Sequence, residues 1–141
     1  GALGSADGNE RENIAIGFGA AGGMNNDSAI RNVFIGEYAG YGGTGALNYS
    51  VAIGYRALDS TGANNSSGTV AIGYYAGAGI TSGAGNLAIG YEAMKVHTTG
   101  INNIAIGYGA MDDTDQSAGT NHRRFQCSTW SWCRNFTHDW C

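Results

Sequence analysis

Large and small apolar residues alternate in short bursts along this chain, and the bursts recur. They read large aliphatic, small residue, isoleucine, glycine at Ile14 to Gly17, Val51 to Gly54, Val70 to Gly73, Leu87 to Gly90 and Ile104 to Gly107, and at Val33 to Gly36 with Phe34 in the small position. Aligned on the isoleucine, the copies fall at Ile16, Ile35, Ile53, Ile72, Ile89 and Ile106, with spacings of 19, 18, 19, 17 and 17 residues. Period two, with β-branching at most of the large positions, predicts a short strand whose large side chains face one way and whose small ones face the other. The glycine load and the missing helical period argue against helix. Between the bursts lie Gly/Asn/Ser/Asp stretches such as "GGMNNDSAIRN" and "LDSTGANNSSGT", which predict turns with room for one further short strand.

A fixed period near twenty residues is the mark of a solenoid. The predicted fold is therefore all-β: a parallel β-solenoid of about six coils with 17–19 residue repeats, Ile stacked on Ile and Val on Val. Burying an aliphatic side chain contributes roughly 1.5–3 kcal/mol. Two per coil do not offset ordering the whole coil, at about 1–2 kcal/mol per residue. Such coils need neighbours and other chains, and a closed homotrimer that buries the small Ala/Gly face and protects strand edges is expected.

Three further columns accompany the strand. Directly after the isoleucine stands glycine in every copy, at Gly17, Gly36, Gly54, Gly73, Gly90 and Gly107. It reads either as a corner needing positive φ or close backbone approach, or as close packing of chains about a shared axis. Three before the isoleucine stand Asn13, Asn32, Ser50, Thr69, Asn86 and Asn103, a column expected to form a hydrogen-bonding ladder that caps the corner. Two after the isoleucine an aromatic recurs in five copies: Phe18, Tyr55, Tyr74, Tyr91 and Tyr108. That column reads as stacking along the solenoid or packing between protomers. Its functional alternative is an exposed strip, with Tyr55, Tyr74, Tyr91 and Tyr108 stacking on the sugar rings of a surface glycan.

Composition narrows the class. Glycine is 25 of 141 residues and proline is absent, which excludes collagen, while 43% hydrophobic residues in regular clusters argue against disorder. A net charge of −4 provides no basic patch, so no nucleic-acid partner is expected. No run of about 18 apolar residues occurs, so no membrane insertion is expected either. The opening "GALGSADGNE" has neither an initiator Met nor a signal pattern and reads as an excised or processed piece.

Chemistry-bearing residues do not recur in register. His97, His122 and His138 lie outside the repeated columns, and no Ser/His/Asp order or recurring carboxylate pair appears, so no catalytic residue, cofactor or metal is assigned. "DDTD" at Asp112 to Asp115 is a single occurrence that reads as a solvated turn rather than a calcium site. A flat threonine face of the ice-binding kind is missing, since no Thr-x-Thr column exists. The sequons at Asn26, Asn48, Asn64, Asn65 and Asn135 are what Asn-rich turns generate by chance.

The copies "NIAIGFGA", "SVAIGYRAL", "TVAIGYYAG" and "NLAIGYEAM" resemble the head repeats of trimeric autotransporter adhesins, and more closely the longer-period repeats of phage tail fibres. The resemblance covers residues 1–121 and implies a left-handed parallel β-roll that trimerises as a rigid fibre or head. It implies structural and receptor-binding work, attachment to a host cell-surface glycan or receptor, and a place in the virion tail fibre or at the cell surface. A bacterial adhesin head is the alternative, and a fibre enzyme that depolymerises glycan is a further one. The spacing is longer than that of the usual adhesin coil, and Phe34 and Glu37 break two columns of the second copy.

The pattern stops near Asn121. From His122 the chain carries three Trp and three Cys, in a region where the next Ala-Ile-Gly is due at residues 123–125. Back-translated and read one nucleotide later, "HRRFQCSTWSWC" permits an Ile-Ala-Val-Ser-Ser-Ala-Ala-Leu that falls into register with Ile104. Residues 122–141 therefore read either as a seventh repeat out of frame or as a terminal cap. In the cap, Trp130, Trp132 and Trp140 cover the last coil and two of Cys127, Cys133 and Cys141 pair. Zinc is a weaker reading, because no close C-x-x-C pair is present.

Overall fold

The computed structural model describes residues 11–24, 29–42, 47–61, 66–96 and 99–112, and the backbone of residues 125–127. Its strands are β1 (Ile14–Ile16), β2 (Val33–Ile35), β3 (Val51–Ile53), β4 (Val70–Ile72), β5 (Leu87–Ile89), β6 (Ile104–Ile106) and β7 (Phe125–Cys127). They form one parallel sheet in chain order, without a helix among the described residues. Each strand lies in register on the next, with Val51 opposite Val70, Ala52 opposite Ala71 and Ile53 opposite Ile72. The chain is a parallel β-solenoid.

Strands of three residues persist because coil-to-coil hydrogen bonding continues beyond them. In the third repeat the Val51 N–H donates to the Thr69 carbonyl at 2.9 Å and the Gly54 N–H to the Ile35 carbonyl at 2.8 Å. The Arg56 N–H then donates to Glu37 and the Leu58 N–H to Ala76, both at 2.9 Å. Equivalent bonds recur around the corner in the other repeats, so the turn is laddered as the strand is. A second strand in each repeat is not formed among the described residues. One isolated bridge, between Arg11 and Ile30, forms there, and single coil-to-coil bonds recur, as from the Gly68 N–H to the Asn48 carbonyl at 2.8 Å, among turns and bends.

The glycine column is set by the corner. Its φ lies between +127° and +135° in all six copies, a region closed to residues with a Cβ. At Gly54 a Cβ would also stand 2.4 Å from the Gly73 carbonyl oxygen of the next coil. Three more columns take positive φ between +51° and +71°, four before the isoleucine and three and five after it.

The two faces of the strand carry opposite burial from the one expected for the assembly. Ala52, Ala71 and Ala88 are fully buried, as are Ala39, Ala57 and Ala76 beyond the corner, because the coil closes on its small face. The isoleucines expected as repeat core stack in register but lie on the outer face, from half-buried Ile35, Ile53, Ile72 and Ile89 to Ile16 at 58% and Ile106 at 46% exposure. The small Ala/Gly face is thus closed inside one chain and is not available to a partner; the aliphatic face is. One or two large side chains per repeat fill the alanine-lined interior: Met24, Phe34 with Leu47, Leu58, Ile80, Met94 and Met111.

The polar column is a buried ladder. Asn32 accepts the Ser50 N–H on Oδ1 at 2.8 Å and donates from Nδ2 to the Leu47 carbonyl at 2.6 Å and to Asn13 Oδ1 at 3.0 Å. Asn86 does the same for the Asn103 N–H at 2.9 Å and the Gly100 carbonyl at 2.7 Å.

β7 continues the sheet, pairing with β6 so that Phe125 stands opposite Ile104 and Cys127 opposite Ile106. Residues 113–124 and 128–141 lie outside the described residues, and with them the out-of-frame and cap readings of the tail, Asp113 to Asp115, Trp130, Trp132, Trp140, Cys133 and Cys141. The same holds for His97, His122 and His138.

Candidate functional site

The +2 column leaves the corner just after the obligatory glycine, and the in-register sheet sets its members one above another at about the strand spacing of 4.7–4.9 Å. Tyr55 stacks on Tyr74 with ring centroids 5.4 Å apart and planes 13° off parallel. Tyr74 stacks on Tyr91 at 4.9 Å and 11°, and Tyr91 on Tyr108 at 5.0 Å and 3°. These rings remain exposed, from 36% at Tyr55 to 61% at Tyr108. Glu37 interrupts the column at the second repeat, and Phe18 beyond it packs edge-on against Tyr38 at 5.6 Å instead.

The column therefore stacks along the solenoid and is exposed at once. Stacking occupies the ring faces of Tyr74 and Tyr91, so a sugar ring cannot lie flat on either; ring edges and phenol hydroxyls are what solvent meets. The +3 column flanks the ladder. Tyr75 meets Tyr74 edge-on at 4.7 Å and Tyr55 at 5.6 Å. The Arg56 guanidinium sits 5.2 Å from the Tyr38 ring centre, 5.8 Å from Tyr55 and 5.9 Å from Tyr75, and pairs with Asp59 at 3.4 Å. Lys95 pairs with Glu92 at 2.8 Å and lies 5.5 Å from the Tyr75 ring centre.

Electrostatics follow these contacts. The Tyr75 phenol, foremost, raises the pKa of Arg56, and the hydrogen bond to Glu92 raises that of Lys95. Partial burial among neighbours pushes the Tyr75 and Tyr91 phenols up, Glu92 adding to the effect at Tyr91. Tyr38, Tyr75, Arg56 and Lys95 escaped the sequence pattern because the +3 and +6 positions differ in identity from copy to copy; what the +3 residues share is a positive φ.

The second exposed feature is the aliphatic face, two columns wide and continuous from β1 to β6. Among the described residues no group of three His, Cys, Asp or Glu is placed to hold a metal ion, and no helix is long and apolar enough to cross a membrane. Asn48, the one sequon asparagine among the described residues, accepts the Ile30 N–H on Oδ1 at 2.9 Å, a corner contact. Comparison of the chain with protein-family models, curated proteins and solved structures gives no match.

Proposed function

We propose that the chain is a structural and receptor-binding segment of a phage tail fibre: a rigid homotrimeric solenoid that attaches a virion to a host cell-surface glycan or receptor. The observation that carries this reading is the aliphatic face. In a monomer, stacking only partly covers the two columns of Ile, Val and Leu that face outward over six rungs, whereas an assembly buries the remaining surface at about 25 cal/mol per Å². Closure about an axis satisfies such a face on every chain at once. The tyrosine ladder lies beside it and, with Arg56 and Lys95, supplies the polar and aromatic groups for surface recognition.

Light scattering on the purified chain tests the assembly: three chains per particle are expected, and a stable monomer at micromolar concentration would overturn it. Attachment is tested on the assembled particle with Tyr74 and Tyr91 replaced by Ala. An intact trimer that no longer adheres to host cells supports recognition through the ladder, and unimpaired adhesion removes it.

A further inference from the structure

Four phenols in one column constitute a reactive array as well as a surface. The in-register sheet sets the rings of successive tyrosines nearly parallel, with centroids 5.4, 4.9 and 5.0 Å apart. The outer edges of these rings are open to solvent. Partial burial holds the Tyr91 phenol above its ordinary pKa, so it is protonated at neutral pH and loses its proton with the electron when oxidised. The fold has already met the entropic cost of bringing the pairs together.

We propose that Tyr55, Tyr74, Tyr91 and Tyr108 form an oxidative cross-linking site, at which a peroxide acting through a one-electron oxidant joins tyrosines of successive coils as dityrosine. Each phenol gives up one electron and its hydroxyl proton, leaving a phenoxyl radical with spin on the carbons ortho to oxygen. Two radicals on adjacent rungs share their odd electrons in a single ortho-to-ortho carbon bond. Each bonded carbon then passes its hydrogen to its own ring oxygen, which restores both phenols. The pair has lost two hydrogen atoms, and one hydrogen peroxide takes them up as two waters. Closing the bond requires the rings to tilt toward each other, and their solvent-facing edges leave room. The product staples one coil to the next along the axis, independently of what the particle attaches to.

The test uses the full chain, with thiols alkylated, treated with a haem peroxidase and hydrogen peroxide, then denatured and cut with trypsin. Cleavage after Arg31, Arg56, Lys95 and Arg123 places Tyr55 in peptide 32–56, Tyr74 and Tyr91 in 57–95, and Tyr108 in 96–123. Expected are 57–95 joined to 96–123 through Tyr91 and Tyr108, and 32–56 joined to 57–95 through Tyr55 and Tyr74. Each product lacks two hydrogens and forms about tenfold or more over the urea-unfolded chain. In a mixture of nitrogen-15 and unlabelled chains, each link joins like with like. Tyr91→Phe keeps a stacked ring without a phenol; it removes the first link and leaves the second. Equal yields from folded and unfolded chain, links of mixed isotope, or links to Tyr49, which is exposed but off the ladder, as frequent as those within it would each overturn the proposal.

Discussion

Phe34 stands where the other five repeats place alanine, yet it is fully buried, and the residue that admits it is Gly40. A Cβ at Gly40 would lie 2.6 Å from two carbons of the Phe34 ring. In the next repeat the arrangement is reversed, with Ala52 on the strand and Leu58 at the column of Gly40, φ +55°. A large side chain in one column is thus matched by a small residue in the column facing it. Phe34→Ala should cost about 3–5 kcal/mol in a denaturant titration. Adding Gly40→Leu should recover part of that loss, with a favourable coupling of about 1 kcal/mol or more; simple additivity would show that the two sites do not share a space. Glycines divide by the same logic. Gly54→Ala meets both a φ of +130° and an immovable carbonyl, and should lose at least about 1–3 kcal/mol of stability from the backbone region alone. Gly68→Ala, at φ +71° with its nearest neighbour 4.0 Å away, should cost only about 1–2 kcal/mol. Thermal unfolding of the two variants side by side checks the order.

At the scale of the element, one coil is held to the next by backbone bonds and by the inward asparagine column. Asn86→Ala would strand the Asn103 N–H and the Gly100 carbonyl, both left without Asn86 as their partner, at about 1–3 kcal/mol for each group that stays buried. Amide exchange at Asn103 should accelerate with it, and an unchanged rate would mean another group takes over. The strands, their register, the corner glycine and this ladder were legible in the sequence, because each repeats an identity or a period at a fixed offset. The positive-φ columns were not. Glu12, Arg31, Tyr49, Gly68, Gly85 and Asn102 share one such column and have little chemistry in common. What unites the three columns is the absence of Val, Ile and Thr, the residues least able to adopt that conformation, and an absence is a weak signal in one sequence. The flanks of the tyrosine ladder, Arg56 and Tyr75, were missed for the same reason. Nor does alternation say which face a coil encloses. It shows that the faces differ; enclosure is decided by how narrow the closed coil is, and alanines with one or two large side chains per repeat fit inside it.

For the whole molecule, that inversion of faces has a measurable outcome. Ile53 and Ile72 lie in the middle of the aliphatic face, half-buried by their neighbours above and below and pointing away from the interior. Replacing both by Lys should leave the coil intact, since the long aliphatic stems still cover the sheet and the ammonium groups reach water in a single chain. In an assembly the same lysines meet those of other chains. The exchange forfeits about 1.5–3 kcal/mol of burial for each isoleucine and adds like-charge repulsion. At 1.4 kcal/mol per factor of ten, association should weaken at least a hundredfold. Ala71→Leu is the converse change: it overfills a fully buried position and should cost about 1–3 kcal/mol of coil stability. Light scattering paired with circular dichroism separates the two, with the lysine variant expected as a folded monomer and the leucine variant as the less stable coil. If the lysine variant still assembles as the wild type does, chains meet through some other surface and the aliphatic face requires a different partner.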